Sequence, residues 1–247
     1  MEPAAPITQP SPTRVLPIER AAAALEVILC SGFPTQIVII TVLATFGMQP
    51  RLEDGRFNAP FVFALTLLDT LLLVGLVCFF FRAHRESIRE QLFGGRRLGR
   101  ELLLGIALIP ASFGVVALVL AAVQAVAPSL RNVPHNPLAE LANTRAEAVI
   151  FAFVVMIAGG VREEIQRGFI LRRFEQFLGG GLAGLTIFSL LFGLGHLQQG
   201  RNVAIATAVL GGFWGAIFLR RRSVAAPMVG HAGFNLLQVV NFLTRGG

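Results

Sequence analysis

Seven apolar stretches run through this chain, at about 21–48, 58–81, 101–127, 146–171, 182–197, 203–219 and 224–243. Crossing the hydrocarbon core of a bilayer takes roughly 20 apolar residues in a helix, because each backbone N–H and C=O must be bonded inside the protein. The stretches therefore predict an all-α, polytopic integral membrane bundle of seven to eight transmembrane helices. Pro34 accounts for the range, since it should kink or split the first helix. The fifth and sixth stretches are short and carry glycines that permit close helix packing. Composition points the same way: 54% of the residues are hydrophobic and 14% charged, against about 25% charged in soluble domains.

All 21 basic residues are arginine, and the formal charge is +7. The arginines sit mainly at the ends of apolar runs, which is the loop bias of a membrane protein and excludes nucleic acid as the expected partner. With the N-terminus cytoplasmic, thirteen arginines face inward: Arg14, Arg20, six in 82–100, Arg172, Arg173 and Arg220–Arg222. Six face outward, namely Arg51, Arg56, Arg131, Arg145, Arg201 and Arg245. This asymmetry sets the expected orientation, in what reads as a bacterial inner membrane with membrane lipids as surroundings. Residues 1–17 are proline-rich, lack the pattern of a cleaved signal and read as a disordered cytoplasmic tail. Residues 18–247 read as a single transmembrane domain. The arginine-rich segment 82–100 suits either an interfacial helix on anionic headgroups or a solvated loop. Cys30 and Cys78 lie in apolar surroundings as small hydrophobes, with no disulfide framework implied. Oligomeric state is not legible.

The fourth stretch carries the informative polar residues. After "AEAVIFAFVVMIA" comes "GGVREEIQRGFILRRF", with four charges between Arg162 and Arg167. A charge deep in a bilayer costs about 2.5–3.5 kcal/mol even on a lenient scale. Glu163 and Glu164 can each reach Arg167, at i+4 and i+3, and pairing lowers that cost. Asp69 and Glu26 are further intramembrane acids, expected in support roles such as a partner for Arg162. His196 closes "IFSLLFGLGH" with Phe192 one turn earlier, and His231 and Asn235 share a face in "PMVGHAGFNLLQ". At about 1.5 Å per helical residue, Glu163 and His196 each lie about 21 Å from one helix end and Asn235 about 16 Å, depths that allow one shared cavity.

Such a set suits hydrolysis by water. Burial raises a glutamate's pKa toward that of a competent base. Histidine can share the water and relay its proton, and His231 and Asn235 can donate to a developing oxyanion. No serine or cysteine stands out as a nucleophile. A structural ion-pair network, and a proton-coupled Glu/His site in a transporter, use the same residue types.

These residues resemble the signature of the CPBP family, the CAAX protease and bacteriocin-processing group also called Abi, which includes the type II CAAX prenyl proteases. The signature is a glutamate pair with an arginine, then Phe-x-x-x-His, then His-x-x-x-Asn, each on a membrane helix. It corresponds here to "EEIQR", "FGLGH" and "HAGFN", within about residues 145–244. The resemblance implies an intramembrane endopeptidase acting on prenylated CAAX-type or leader-bearing peptides, with Glu163, Glu164, Arg167, His196, His231 and Asn235 as its site. One spacing differs: the family usually has three residues between the second glutamate and the arginine, and this chain has two. Anchoring on the arginine puts Arg162 and Glu163 in the places of the pair, whereas anchoring on the pair keeps Glu163 and Glu164 there. Glu163 belongs to the site in both registers. Loss of the first glutamate would instead suit an inactive scaffold or immunity protein. The resemblance also raises zinc, for which Glu163, His196 and His231 would be the ligands. The type II CAAX proteases are described as metal-free, and no metal or other cofactor is the favoured expectation.

Overall fold

A computed structural model of the chain describes residues 15–134 and 136–244. The tail expected to be disordered lies, through residue 14, outside the described residues, as do Arg14 and Arg245 of the orientation count. The helices are α1 (Pro17–Leu29), α2 (Phe33–Thr45), α3 (Ala59–Ala83), α4 (Ile88–Phe93), α5 (Leu98–Val126), α6 (Arg145–Val155), α7 (Glu163–Phe177), α8 (Gly181–Leu194), α9 (Arg201–Arg221) and α10 (Ala225–Thr244). A π-helical segment, Met156–Arg162, joins α6 to α7 without a break. Counting α1 with α2 and α6 with α7, and setting the short α4 aside, gives seven rods, one for each apolar stretch. The fold is an all-α, membrane-type bundle.

Three helices, α3, α5 and α9, are individually long and apolar enough to cross a membrane. The pair α1 and α2 makes a fourth crossing if taken as one span bent by 43°. That break falls where Pro34 predicts it. Gly32 adopts φ +89°, a left-handed conformation that suits glycine, and Pro34 then sits in the first turn of α2, where it needs no N–H partner. The surface is inverted relative to a soluble protein. Leu71 and Leu103 are more than two-thirds exposed, while Asp69 is 3% and Ser112 0% exposed. This is the pattern of a chain solvated by lipid, whose polar residues turn inward.

α7 is the central post. Nine of its fifteen residues are buried, among them Glu164, Gln166, Arg167 and Arg173, so neighbours cover it on every side. Arg173, expected at the cytoplasmic surface, is instead 1% exposed. It donates from Nε to Glu26 at 2.6 Å and from Nη1 to Glu86 at 2.8 Å, and Glu26 also pairs with His84. The second intramembrane acid, Asp69, pairs with Arg162. Within segment 82–100, Ile88–Phe93 forms a short helix capped by Ser87, and residues from Leu98 onward already belong to α5.

Small residues set the close approaches. A Cβ at Gly105 would sit 2.9 Å from the Ala226 carbonyl oxygen, which seats α10 against α5. One at Gly193 would sit 2.6 Å from the Ala204 carbonyl oxygen, which seats α9 against α8. Gly211, in "LGGFWG", faces the Phe192 ring in the same way.

Candidate active site

The site forms where the π segment meets α10. Widening the helix to i→i+5 bonding lets a segment change register without ending, and such segments recur at functional positions. Here it contains Gly159 and Gly160, both buried. A Cβ at Gly160 would lie 2.4 Å from that of Ala232, so the α10 backbone presses directly on the segment. A Cβ at Gly159 would lie 2.2 Å from Nδ2 of Asn235 and 3.4 Å from Nε2 of His231. Two side-chain nitrogens one helical turn apart on α10 thus converge over a residue with no side chain. Gly159→Ala should therefore push the Asn235 amide aside with little loss of stability, because the tip of that side chain can shift; thermal denaturation of the full chain in detergent checks this.

Immediately after the segment come the two carboxylates, and their surroundings differ. Glu164 is 1% exposed; it accepts from Nη1 of Arg167 and, at 2.9 Å, from Nδ1 of His231. Glu163 is 19% exposed, and its Oε2 lies 3.7 Å from Nε2 of the same imidazole. That separation is too long for a direct hydrogen bond. His231 therefore bridges the pair, with Nδ1–H fixed on the buried carboxylate and Nε2 directed at the accessible one. Its ring stacks on Trp214 with centroids 3.8 Å apart and meets Phe192 edge-on at 6.3 Å. Trp214 in turn donates its Nε1–H to Ser112 Oγ at 3.2 Å.

Arg167 is fully buried. Its guanidinium lies over Phe188, Phe192 and Trp214 at 5.3, 5.1 and 5.7 Å. Nε and Nη2 have no hydrogen-bond acceptor among the described residues, and the faces of the aromatic rings stabilise that charge instead.

His196 differs from its expected setting. α8 ends at Leu194, and the residue sits just beyond, at the start of a single 3₁₀ turn, Leu197–Gln199. Its Nδ1 donates to the Phe192 carbonyl oxygen at 2.8 Å, which leaves Nε2 of the neutral ring with a free lone pair. The rings of Phe192 and His196 are 4.9 Å apart, so Phe192 touches both histidines of the set. Asn235 donates to the Val155 carbonyl oxygen at 3.4 Å, which ties α10 to the end of α6. Glu163, Glu164, Arg167 and His231 thus form one linked cluster, Asn235 joins His231 over Gly159, and His196 adjoins them through Phe192. Of the residues named as zinc ligands, Glu163 and His231 are neighbours and His196 lies beyond the end of α8; among the described residues no three His, Cys, Asp or Glu side chains are grouped as for a metal ion.

Trp214, Phe188 and Ser112 belong to the surroundings of the site and were not legible from the motifs. The available signal was that the sequence has one tryptophan, placed in an apolar run where its N–H needs a buried acceptor.

Comparison with known families gives one match. Residues 145–237 fit the family model described as Rce1-like, type II CAAX prenyl endopeptidase Rce1-like. The matched segment holds every residue of the cluster and agrees with the resemblance read from the three motifs. No curated protein and no solved structure matches the chain.

Proposed function

We propose that this chain, whose segment 145–237 matches the type II CAAX prenyl endopeptidase family, is an integral membrane endopeptidase that hydrolyses a peptide bond with a glutamate-activated water. The observation that carries the reading is the unequal glutamate pair around His231. Glu164 is buried and already bonded, so it orients. Glu163 is partly exposed and makes no direct hydrogen bond to the imidazole, so it has the accessible lone pairs that a general base requires.

The steps follow from the side chains. Glu163 takes a proton from water as the water's oxygen attacks the scissile carbonyl carbon. Negative charge gathers on the carbonyl oxygen, where the Asn235 amide and the His231 Nε2–H of an imidazolium donate. Glu164 stabilises that imidazolium through Nδ1, and Arg167 keeps Glu164 ionised. The proton taken by Glu163 passes to the departing amine, with the His196 Nε2 lone pair as relay. Lipid-buried surroundings strengthen each of these interactions relative to water.

The family match supports a peptide or prenylated protein as the substrate in general; within that class our reading is a prenylated C-terminal peptide or a leader-bearing peptide, met at the cytoplasmic side of a bacterial inner membrane. Arg162 supports a second reading, a non-catalytic membrane scaffold, because in the arginine-anchored register it stands where the family has its first glutamate. A cleavage screen on the purified chain in liposomes, using prenylated CAAX-type and leader peptides with and without a chelator, tests both. Product formed equally in the presence of chelator is the expected result. Absence of product with every peptide favours the scaffold, and chelator-sensitive product would overturn the metal-free chemistry.

A further inference from the structure

We infer that Asp69 on α3 is a positioning residue that fixes the rotation of α7, and with it the aim of Glu163, by clamping Arg162 on the adjoining face of the helix; this rests on the peptidase reading above. Successive residues on a helix point about 100° apart, so the direction of Arg162 determines that of Glu163. Arg162 is the last residue of the π segment and Glu163 the first of α7. A segment that changes register needs contacts outside itself to select one rotation.

Those contacts are present and buried. Nη2 of Arg162 donates to Oδ2 of Asp69, while Thr35 Oγ1 donates to Oδ1. Both carboxylate oxygens are thus held, one by the last residue of the π segment and one by α2. The guanidinium enters through the break between α1 and α2, where a Cβ at Gly32 would lie 2.6 Å from Nη2. One turn on, Gln166 Nε2 donates to the Cys30 carbonyl oxygen at 2.8 Å and seats the same face of α7 in the same break. The Arg162 and Gln166 face is therefore locked to α1, α2 and α3, and the Glu163, Glu164 and Arg167 face turns to α8, α9 and α10. The break around Gly32 is accordingly the socket for a positioning arginine. Arg162 departs from the family's usual glutamate in one register, and the clamp gives that departure a role.

The test uses the full chain in liposomes with a farnesylated CAAX-type peptide carrying a fluorophore and quencher. Three forms are compared: Asp69→Asn, Asp69→Glu, and Asp69→Leu combined with Arg162→Met, which removes both charges and so leaves no unpaired ion. Trp214 supplies a second readout, because it is the sole tryptophan and stacks on the imidazole that the two glutamates hold. Asp69→Asn should lower kcat about 10²-fold, the scale of an ångström-sized misplacement, with KM within about threefold. It should also change Trp214 emission below the melting transition. Asp69→Glu, which keeps the charge, should retain more of kcat than Asp69→Asn. The double variant should regain the wild-type melting temperature without regaining kcat. Full recovery of kcat in the double variant, or unchanged kcat and emission in Asp69→Asn, overturns the clamp. If the wild-type chain cleaves no peptide, the peptidase reading fails and emission alone decides: a change in Asp69→Asn supports the clamp and no change overturns it.

Discussion

Glu163→Gln should lower kcat by about 10²–10⁴-fold, the usual contribution of a general base, and leave the melting temperature close to wild type. The substitution keeps the shape of the side chain and removes its ability to take a proton. Its small effect on stability follows from the setting: Glu163 is partly exposed and makes no direct hydrogen bond to His231, so no buried ion loses its partner. Glu164→Gln makes the informative contrast. There the lost charge faces Arg167 and His231 inside the bundle, so stability and kcat should fall together. Initial rates in liposomes, measured beside thermal denaturation in detergent, separate the two. Wild-type kcat in Glu163→Gln would remove this glutamate from the chemistry.

Arg167→Leu should cost about 3–5 kcal/mol of folding stability, the range for breaking a buried pair from one side. Three losses act together. Glu164 keeps only the imidazole as a hydrogen-bond partner. The faces of Phe188, Phe192 and Trp214 lose the charge they surround. The packing of the arginine stem against Gly215, where a Cβ would lie 3.3 Å from Cδ of Arg167, is removed as well. Equilibrium unfolding in mixed micelles measures the change. Adding Glu164→Gln to Arg167→Leu should recover part of the loss, because a neutral amide is cheaper to bury than a lone carboxylate. If Arg167→Leu unfolds with the wild-type midpoint, the pair contributes nothing to the fold and the aromatic cage is incidental.

The rods of the bundle were legible because bilayer solvation writes helix length directly into hydropathy, and Pro34 marked the one broken rod. The pairing of Arg162 with Asp69 was also legible, since a membrane acid and a membrane base each require a partner. The partner of Glu26 was not. Arg173 sits in a run of arginines near the end of an apolar stretch, where loop bias and a buried bridge to α1 look alike in sequence. The π segment left no periodic signal, because an i→i+5 stretch of seven residues inside apolar surroundings changes only which faces align. Gly159 and Gly160 were its sole trace. His196 was singled out but assigned to a helix that stops two residues earlier. With glycine at 193 and 195, α8 lacks the side chains that would carry it further. The stacking of His231 on Trp214 joins residues 17 positions apart on two helices, and only the crossing of α9 and α10 brings them together.

The long reach of two ion pairs bears on how the chain is made. Glu26 meets Arg173 across 147 positions and Asp69 meets Arg162 across 93. Ribosomes add about 5–20 residues per second, so each acid waits roughly 5 to 30 seconds for its cation. Throughout that interval the first three helices are an unfinished client, carrying charge that lipid does not solvate. A nascent chain halted before residue 162 thus displays its own incompleteness as two carboxylates that still lack their arginines, held only by His84 and Thr35.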